Sequence, residues 1–297
     1  MLLAEQPYRT EPRWVSVRRL SAVSNPPEGR IVIVLKAYFD AGNEIDSTQY
    51  DIVTLAGMSA RERDWPEFES AWQNAVAASW AECDMPPIQP YLHTTDMIAG
   101  NEPFTRKRGW TAARMDKLFE ACALMVAEAC DSKRFRLVSA SVLLKDYKQV
   151  KSEGVRLANV EDICASFCVA SAVAWSPEFA EEFMNNGAEL YFDRNEPFRG
   201  SIVNRQQHRK LRNDPAWTKL ILVGSVDSKL TPALQPADLL AWSLNAYHVD
   251  NVKGGWQLAM LSIEREKYNL GKRGLRQPNM DHLGPLLDLN LPTRRFR

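Results

Sequence analysis

The chain alternates between short, nearly continuous apolar runs and longer segments whose apolar residues recur at helical spacing. The run IVIVLKAYFD, residues 31–40, is β-branched and almost unbroken by polar residues, which predicts a central strand buried on both faces. Gly42-Asn43 then mark a turn, and Tyr50–Met58 follows closely enough to be an antiparallel partner strand. Ser59 and Glu62 have the spacing of a capping box, ahead of a helix over 61–80 that carries Trp65, Phe68, Trp72, Val76 and Trp80 on one side. Pro86, Pro87 and Pro90 predict a loop, and Tyr91-Leu92-His93 a short extended piece.

Thr111 is placed to cap a long helix to about Ala129, and residues 135–144 read as a strand. An apolar helix over 160–176 follows, then the strand AELYFD, 188–193, a basic helical stretch over 199–213, the strand LILVGSVD, 220–227, and a helix over 233–247. Strands mixed with helices, with an early close strand pair, predict an α/β sheet flanked by helices. Residues 1–29, rich in Pro and Arg, read as an N-terminal extension, 30–250 as the domain, and 251–297 as a helical or irregular tail. No internal repeat is apparent.

Composition narrows the partners little. Lys plus Arg equals Asp plus Glu at 37 each, so net charge points to neither nucleic acid nor membrane, though a local basic face can sit on a neutral protein. The five scattered cysteines, an odd number, do not form a disulfide framework and suit a reducing compartment. The N-terminus lacks a signal-peptide core, and the longest apolar stretch, Ile163 to Trp175, falls well short of the roughly 20 residues needed to span a bilayer. The expectation is a soluble, cytoplasmic domain without a membrane partner; the oligomeric state stays open.

Chemistry enters with the acids. Three strands end in one: Asp40 and Asp193, each after Tyr-Phe, and Asp227 after Ser-Val. Ligand sites in open α/β sheets lie at the carboxyl ends of strands. A fourth acid, Asp238, stands in LQPADLLA among the apolar residues of a helix start, and a buried carboxylate is normally paired or bound to metal. Carboxylates sharing a pocket raise one another's pKa. A hard divalent cation removes that repulsion, and two such ions about 4 Å apart can serve both the attacking and the leaving oxygen of a phosphodiester. The competing reading is structural, since strand-end aspartates are common turn formers and caps.

AYFDAGN after a strand, YLHTTDMI, LYFD and DSKLTPALQPADLLA together resemble a bacterial family known as domain of unknown function 3800, grouped with the ribonuclease H-like superfamily. The resemblance covers roughly residues 31–247, and its most specific part is Asp227-Ser228-Lys229 with Gln235-Pro236-Ala237-Asp238-Leu239-Leu240-Ala241. It implies a ribonuclease H-like mixed sheet of about five strands, the first strand central, flanked by helices. It also implies an acidic site from Asp40, Asp193 and Asp238, with His93 where the family has a histidine in an acid-x-His pattern. Two positions depart: the family's usual Asp-Glu-Ser-Gly reads Asp40-Ala41-Gly42-Asn43, and Tyr91 replaces the acid before the histidine.

Around these acids, His93 reads as a metal ligand or general base, or as a structural hydrogen-bonding residue. Lys229 reads as a phosphate or carboxylate partner, or as a solvated turn residue. Gln235, three residues before Asp238, can share its helix face and support it, as can Asp227 from its strand end. Arg205, Arg209 and Arg212 lie in the basic stretch that follows the Asp193 strand, and read either as phosphate contacts or as a solvated face. The smaller cluster Arg106, Lys107 and Arg108 has the same two readings. Trp65, Trp72 and Trp80, and the pair Cys164 and Cys168, read as core. The functional expectation is a Mg²⁺- or Mn²⁺-dependent phosphodiesterase acting on RNA or DNA, with Asp40, Asp193 and Asp238 as metal ligands. The alternative is a non-catalytic ribonuclease H-like nucleic-acid-binding or accessory protein with a decayed site.

Overall fold

The computed structural model describes residues 34–42, 52–154, 156–174, 176–194 and 196–248, together with Gln257 and Met260. The expected extension over 1–29 and almost all of the expected tail over 251–297 lie outside the described residues. Within that tail, Gln257 and Met260 are helical and buried, and Met260 joins the core.

In chain order the elements are β1 (Leu35–Ala41), β2 (Ile52–Arg61), α1 (Trp65–Ala81), α2 (Thr94–Ala99), α3 (Ala112–Asp131), β3 (Phe135–Leu143) and α4 (Leu144–Ser152). They continue with α5 (Val160–Val173), α6 (Pro177–Asn186), β4 (Ala188–Asp193), α7 (Pro197–Leu211), α8 (Pro215–Thr218), β5 (Leu220–Val226) and α9 (Gln235–His248). The five strands form one mixed sheet in the order β3-β2-β1-β4-β5, with β1 central. β1 pairs antiparallel with β2 and parallel with β4; β2–β3 is antiparallel and β4–β5 parallel.

Strand periodicity sorts the side chains into two cores. Leu35, Ala37 and Phe39 of β1, Val53 and Leu55 of β2, and Leu190 and Phe192 of β4 pack with residues of α5, α6, α7 and α8. Tyr38 of β1, Ala56, Met58 and Ala60 of β2, and Tyr191 of β4 face the other way, onto α1, α2, α3 and α9. The sheet therefore lies between two helical layers. Trp65, Phe68, Trp72, Val76 and Trp80 fill the second core from α1, as their helical spacing predicts. Cys164 and Cys168, one turn apart on α5, lie against the carbonyls of Val53 and Leu55 and are core residues. No single helix among the described residues is long and apolar enough to cross a membrane.

Two local expectations change. Ser59 does not cap α1: β2 runs on to Arg61, and Ser59 is buried in register with Ala37 and Arg136. Ladder hydrogen bonds on both sides of β2 hold it as strand, and a short helical turn over Glu62–Asp64 starts the helix instead. The helices α2, α4, α6 and α8 are additional to the sequence reading, and Ser176 caps α6 by accepting from the Phe179 amide at 3.3 Å. Thr111 caps α3 as expected, through the Arg114 amide at 3.3 Å.

Candidate functional site

The two Tyr-Phe-Asp motifs lie side by side. Tyr38 pairs with Tyr191 and Phe39 with Phe192 in the parallel β1–β4 ladder, so Asp40 and Asp193 leave neighbouring strands at the same level. Each pair of rings also stacks, with centroids 5.0 Å apart in both cases. The period of two sets Asp40 and Asp193 on the face of Tyr38 and Tyr191, and that face is covered by α9, which carries Asp238.

Gln235 fixes how α9 arrives. It is 2% exposed; its Oε1 accepts from Trp72 Nε1 at 2.7 Å and from the Leu92 amide at 3.1 Å, and its Nε2 donates to the Ser228 carbonyl at 3.0 Å. One amide thus ties α1, the 91–93 segment and the turn after β5 to the start of α9. The same segments hold the acids: the Thr94 amide donates to Asp238 Oδ2 at 2.7 Å, and the Ser228 amide to Asp193 Oδ1 at 2.9 Å. The Ala41 amide donates to Asp40 Oδ1 at 2.8 Å.

The electrostatics register the crowding. Burial, then the charges of Asp238, Asp193 and Glu196, raise the Asp40 carboxyl well above the ordinary carboxylate range. Burial likewise raises Asp238, which Asp193 pushes further up while His93 and the Thr94 hydrogen bond pull it down. Asp40 and Asp238 are 6% and 7% exposed. No lysine or arginine among the described residues forms an ion pair with Asp40, Asp193 or Asp238.

His93 stands at the N-terminus of α2, beside Asp238. Its Nδ1 lies 2.9 Å from Asp96 Oδ2 and 3.4 Å from the Asp96 amide nitrogen. Both contacts cannot be hydrogen bonds to a neutral ring. The ion pair needs a proton on Nδ1 and the amide hydrogen bond a bare Nδ1, so the two contacts belong to different protonation states of the ring. Lys229 reaches the same Asp96 oxygen at 3.0 Å. Burial raises the Asp96 carboxyl, but the hydrogen bonds from Asn101 and Lys229 and the charge of His93 outweigh it and hold the group below its ordinary value.

Other sequence-derived candidates fall elsewhere. Asp227 lies just past β5 and caps the turn through the Lys229 amide at 3.0 Å, with Arg194 at 3.4 Å from its other oxygen. Tyr91, at the position of the family's acid, is buried under Lys229, whose Nζ sits 5.4 Å from the ring centroid. Arg205, Arg209 and Arg212 do not join the acids. The helix α7 runs back along β5: Arg199 Nε donates to the Val223 carbonyl at 3.3 Å and Gln206 Nε2 to the Leu220 carbonyl at 2.5 Å. Leu220 is level with Ala188, whereas Asp193 is level with Val226 at the opposite end of that ladder. The three arginines instead line a separate cavity of about 430 Å³ with His208, Asn159 and Asp162, and Arg209 pairs with Asp214 at 3.6 Å. The cluster Arg106, Lys107 and Arg108 forms a short turn in which Arg108 pairs with Glu102 at 2.7 Å.

Three residues near the acids carried no sequence signal. Glu196 begins α7 and acts on Asp40. Asp96 orients His93. Asn245, two turns after Asp238 on α9, is 5% exposed, and neither atom of its amide has a hydrogen-bond partner among the described residues.

Among the described residues no three His, Cys, Asp or Glu side chains stand ready to hold one metal ion. The donor set nevertheless fits a hard divalent cation of the Mg²⁺ kind, which takes one or two carboxylates and keeps several waters. Asp40 and Asp238 are buried hard oxygen donors that repel each other, and the Asn245 amide lies against Gly42, two residues past Asp40, with both its donor and its acceptor unused among the described residues.

No protein-family model and no curated protein sequence matches the chain. Among solved structures, the chain is similar to a chain of the PCNA:RNase HII complex from Archaeoglobus fulgidus, with 12% identity and a TM-score of 0.35 over 84% of this chain and 99% of that one.

Proposed function

We propose that this protein is a divalent-metal-dependent phosphodiesterase acting on RNA or DNA, of the ribonuclease H-like class and akin to the domain of unknown function 3800 family. The observation that carries the reading is the Asp40 carboxyl. It lies at the end of the central strand and is raised first by its burial and then by Asp238, Asp193 and Glu196, with no lysine or arginine paired with it among the described residues. A mixed five-stranded sheet with its first strand central, which the family resemblance implies, supports the class.

Asp40 and Asp238 would hold the cation, with waters filling the rest of its shell and the charge of Asp193 beside them. Mg²⁺ or Mn²⁺ bound there would supply an activated water and neutralise charge on the phosphate oxygens. Asp193 is kept in place by the Ser228 amide, and Asp238 by the Thr94 amide. In a neutral form whose Nδ1–H donates to Asp96 Oδ2, His93 would offer Nε2 as a proton acceptor. Arg205, Arg209 and Arg212 have no part in the reacting centre; any contact they make is with a remote stretch of backbone phosphate.

The test is a screen of RNA and DNA substrates with Mg²⁺ and Mn²⁺, run on wild type beside Asp40→Asn. Cleavage by wild type that Asp40→Asn loses by at least a hundredfold supports the reading; equal activity in the two refutes it. A non-catalytic nucleic-acid-binding role is the second reading. It is favoured by Tyr91, which is buried at the position of the family's acid and offers no carboxylate there.

A further inference from the structure

We infer that the carboxamide of Asn245 is a further ligand group of the acidic site, holding the water shell of the divalent cation on the Asp40 side. This rests on the metal reading above. Residues seven apart on a helix lie about 20° from alignment, so Asn245 shares the sheet-facing side of α9 with Asp238. Gly42 locates its amide. A Cβ on Gly42 would collide with the Asn245 side chain and lie 2.9 Å from the Ala241 carbonyl. The Asn245 amide thus lies over the backbone two residues past Asp40, where the period of two continues the Asp40 face. Only a glycine at position 42 lets helix and strand approach so closely.

The amide is unusual in its surroundings. It is 5% exposed, yet neither Oδ1 nor Nδ2 has a hydrogen-bond partner among the described residues. An unsatisfied buried amide is destabilising, and a leucine of similar size would avoid that cost. A group kept at such a cost beside uncompensated carboxylates is suited to a ligand that offers both a donor and an acceptor. Oδ1 would accept from a water of the cation's shell, and Nδ2 would donate to an oxygen of that shell or of a bound phosphate. Metal ligation by Mg²⁺ characteristically leaves several waters in place to be held in this way.

The experiment uses the full chain and thermal unfolding, in chelator and over a titration of Mg²⁺ and of Mn²⁺. It compares wild type, Asn245→Leu, Asn245→Asp and Asp40→Asn. In chelator, Asn245→Leu is expected to melt at or above the wild-type temperature, because it removes an unsatisfied polar group. Its metal-induced rise should require at least about tenfold more metal, in the range found when groups supporting metal ligands are removed. Asn245→Asp keeps the oxygen acceptor and adds a charge, so it should melt lower in chelator and need several-fold less metal than wild type for its rise; if the leucine variant does not fold, an unchanged metal requirement in Asn245→Asp refutes the inference. If both Asn245 variants respond to metal as wild type does while Asp40→Asn fails to respond, the inference is wrong and the metal site stands. If wild type shows no metal response, the metal reading falls and this inference falls with it.

Discussion

Tyr38 stacks on Tyr191 with ring planes 16° apart, and this contact lies one layer beneath Asp40 and Asp193. Phe39 and Phe192 repeat it on the opposite face of the sheet, at 21°. The stacked pairs lock the register of β1 and β4, and a slip of one residue would turn one acid to the wrong face. Phe192 is fully buried, so Phe192→Ala is expected to cost about 3–5 kcal/mol in urea unfolding. Phe192→Leu should cost less than half as much. Similar losses for the two would mean that the stacked ring, rather than buried volume, carries the stabilisation.

Stability should depend on pH through Asp40 and Asp238. Both folded-state pKa values are raised, so between the ordinary carboxylate range and those values the folded chain binds more protons than the unfolded one. Stability then falls as pH rises through that window, and the penalty is fully present above it. In chelator, Asp40→Asn should gain stability relative to wild type, and the gain should be larger at pH 8 than at pH 5. A difference between the two proteins that does not change with pH would contradict the raised Asp40 value.

Removing Gln235 should loosen the whole site. Gln235→Leu strands the Trp72 indole N–H and the Leu92 amide, at about 1–3 kcal/mol for each buried donor left unpaired. A drop of roughly 2–5 kcal/mol in unfolding free energy is expected, with lower protection of the Leu92 and Thr94 amides in hydrogen exchange. Unchanged exchange at those amides would separate Gln235 from the 91–94 segment.

Asp96 should set the tautomer of His93. Nitrogen NMR of wild type is expected to find the proton on Nδ1 of His93, and Asp96→Ala should give a mixture of tautomers. A ring in wild type with its proton on Nε2 would remove the case for His93 as an acceptor.

The cavity arginines should act apart from the acids. Replacing Arg205, Arg209 and Arg212 with Gln should leave the metal-induced rise in melting temperature unchanged. If duplex DNA binds there, the salt slope should flatten by up to about 0.9 for each phosphate that is no longer neutralised. Disappearance of the metal response would mean that the arginines support the acidic site after all.

Much of this arrangement was legible in local pattern, and the exceptions have physical causes. The repeated Tyr-Phe-Asp carries its own geometry, because identical alternation on two parallel neighbours puts like residues on like faces. Asp227 looks equivalent in sequence, but it has the opposite parity: Leu222 and Val226 pack toward α9, and Val223 toward the other core. Asp227 therefore turns into the loop. The basic stretch adjoins Asp193 in sequence yet leads away from it, because α7 must return along β5. Asp96, Glu196 and Asn245 depend on how three helices are rotated against the sheet, and no periodicity encodes that. The Ser59 cap failed for a related reason: ladder bonding from both neighbours of β2 outweighed a local capping preference.

The bonds of Gln235 to Trp72 and Leu92 join residues 163 and 143 positions apart in the chain. Asp40, His93 and Asp193 are all synthesised before Asp238, so a nascent chain carries most of the acids with nothing to bring the last one to them. Until α9 docks, the sheet face that it covers is bare, and Trp72 and Leu92 lack their common acceptor. A fragment that stops short of α9 would therefore leave apolar residues of the sheet uncovered and the last acid of the site missing.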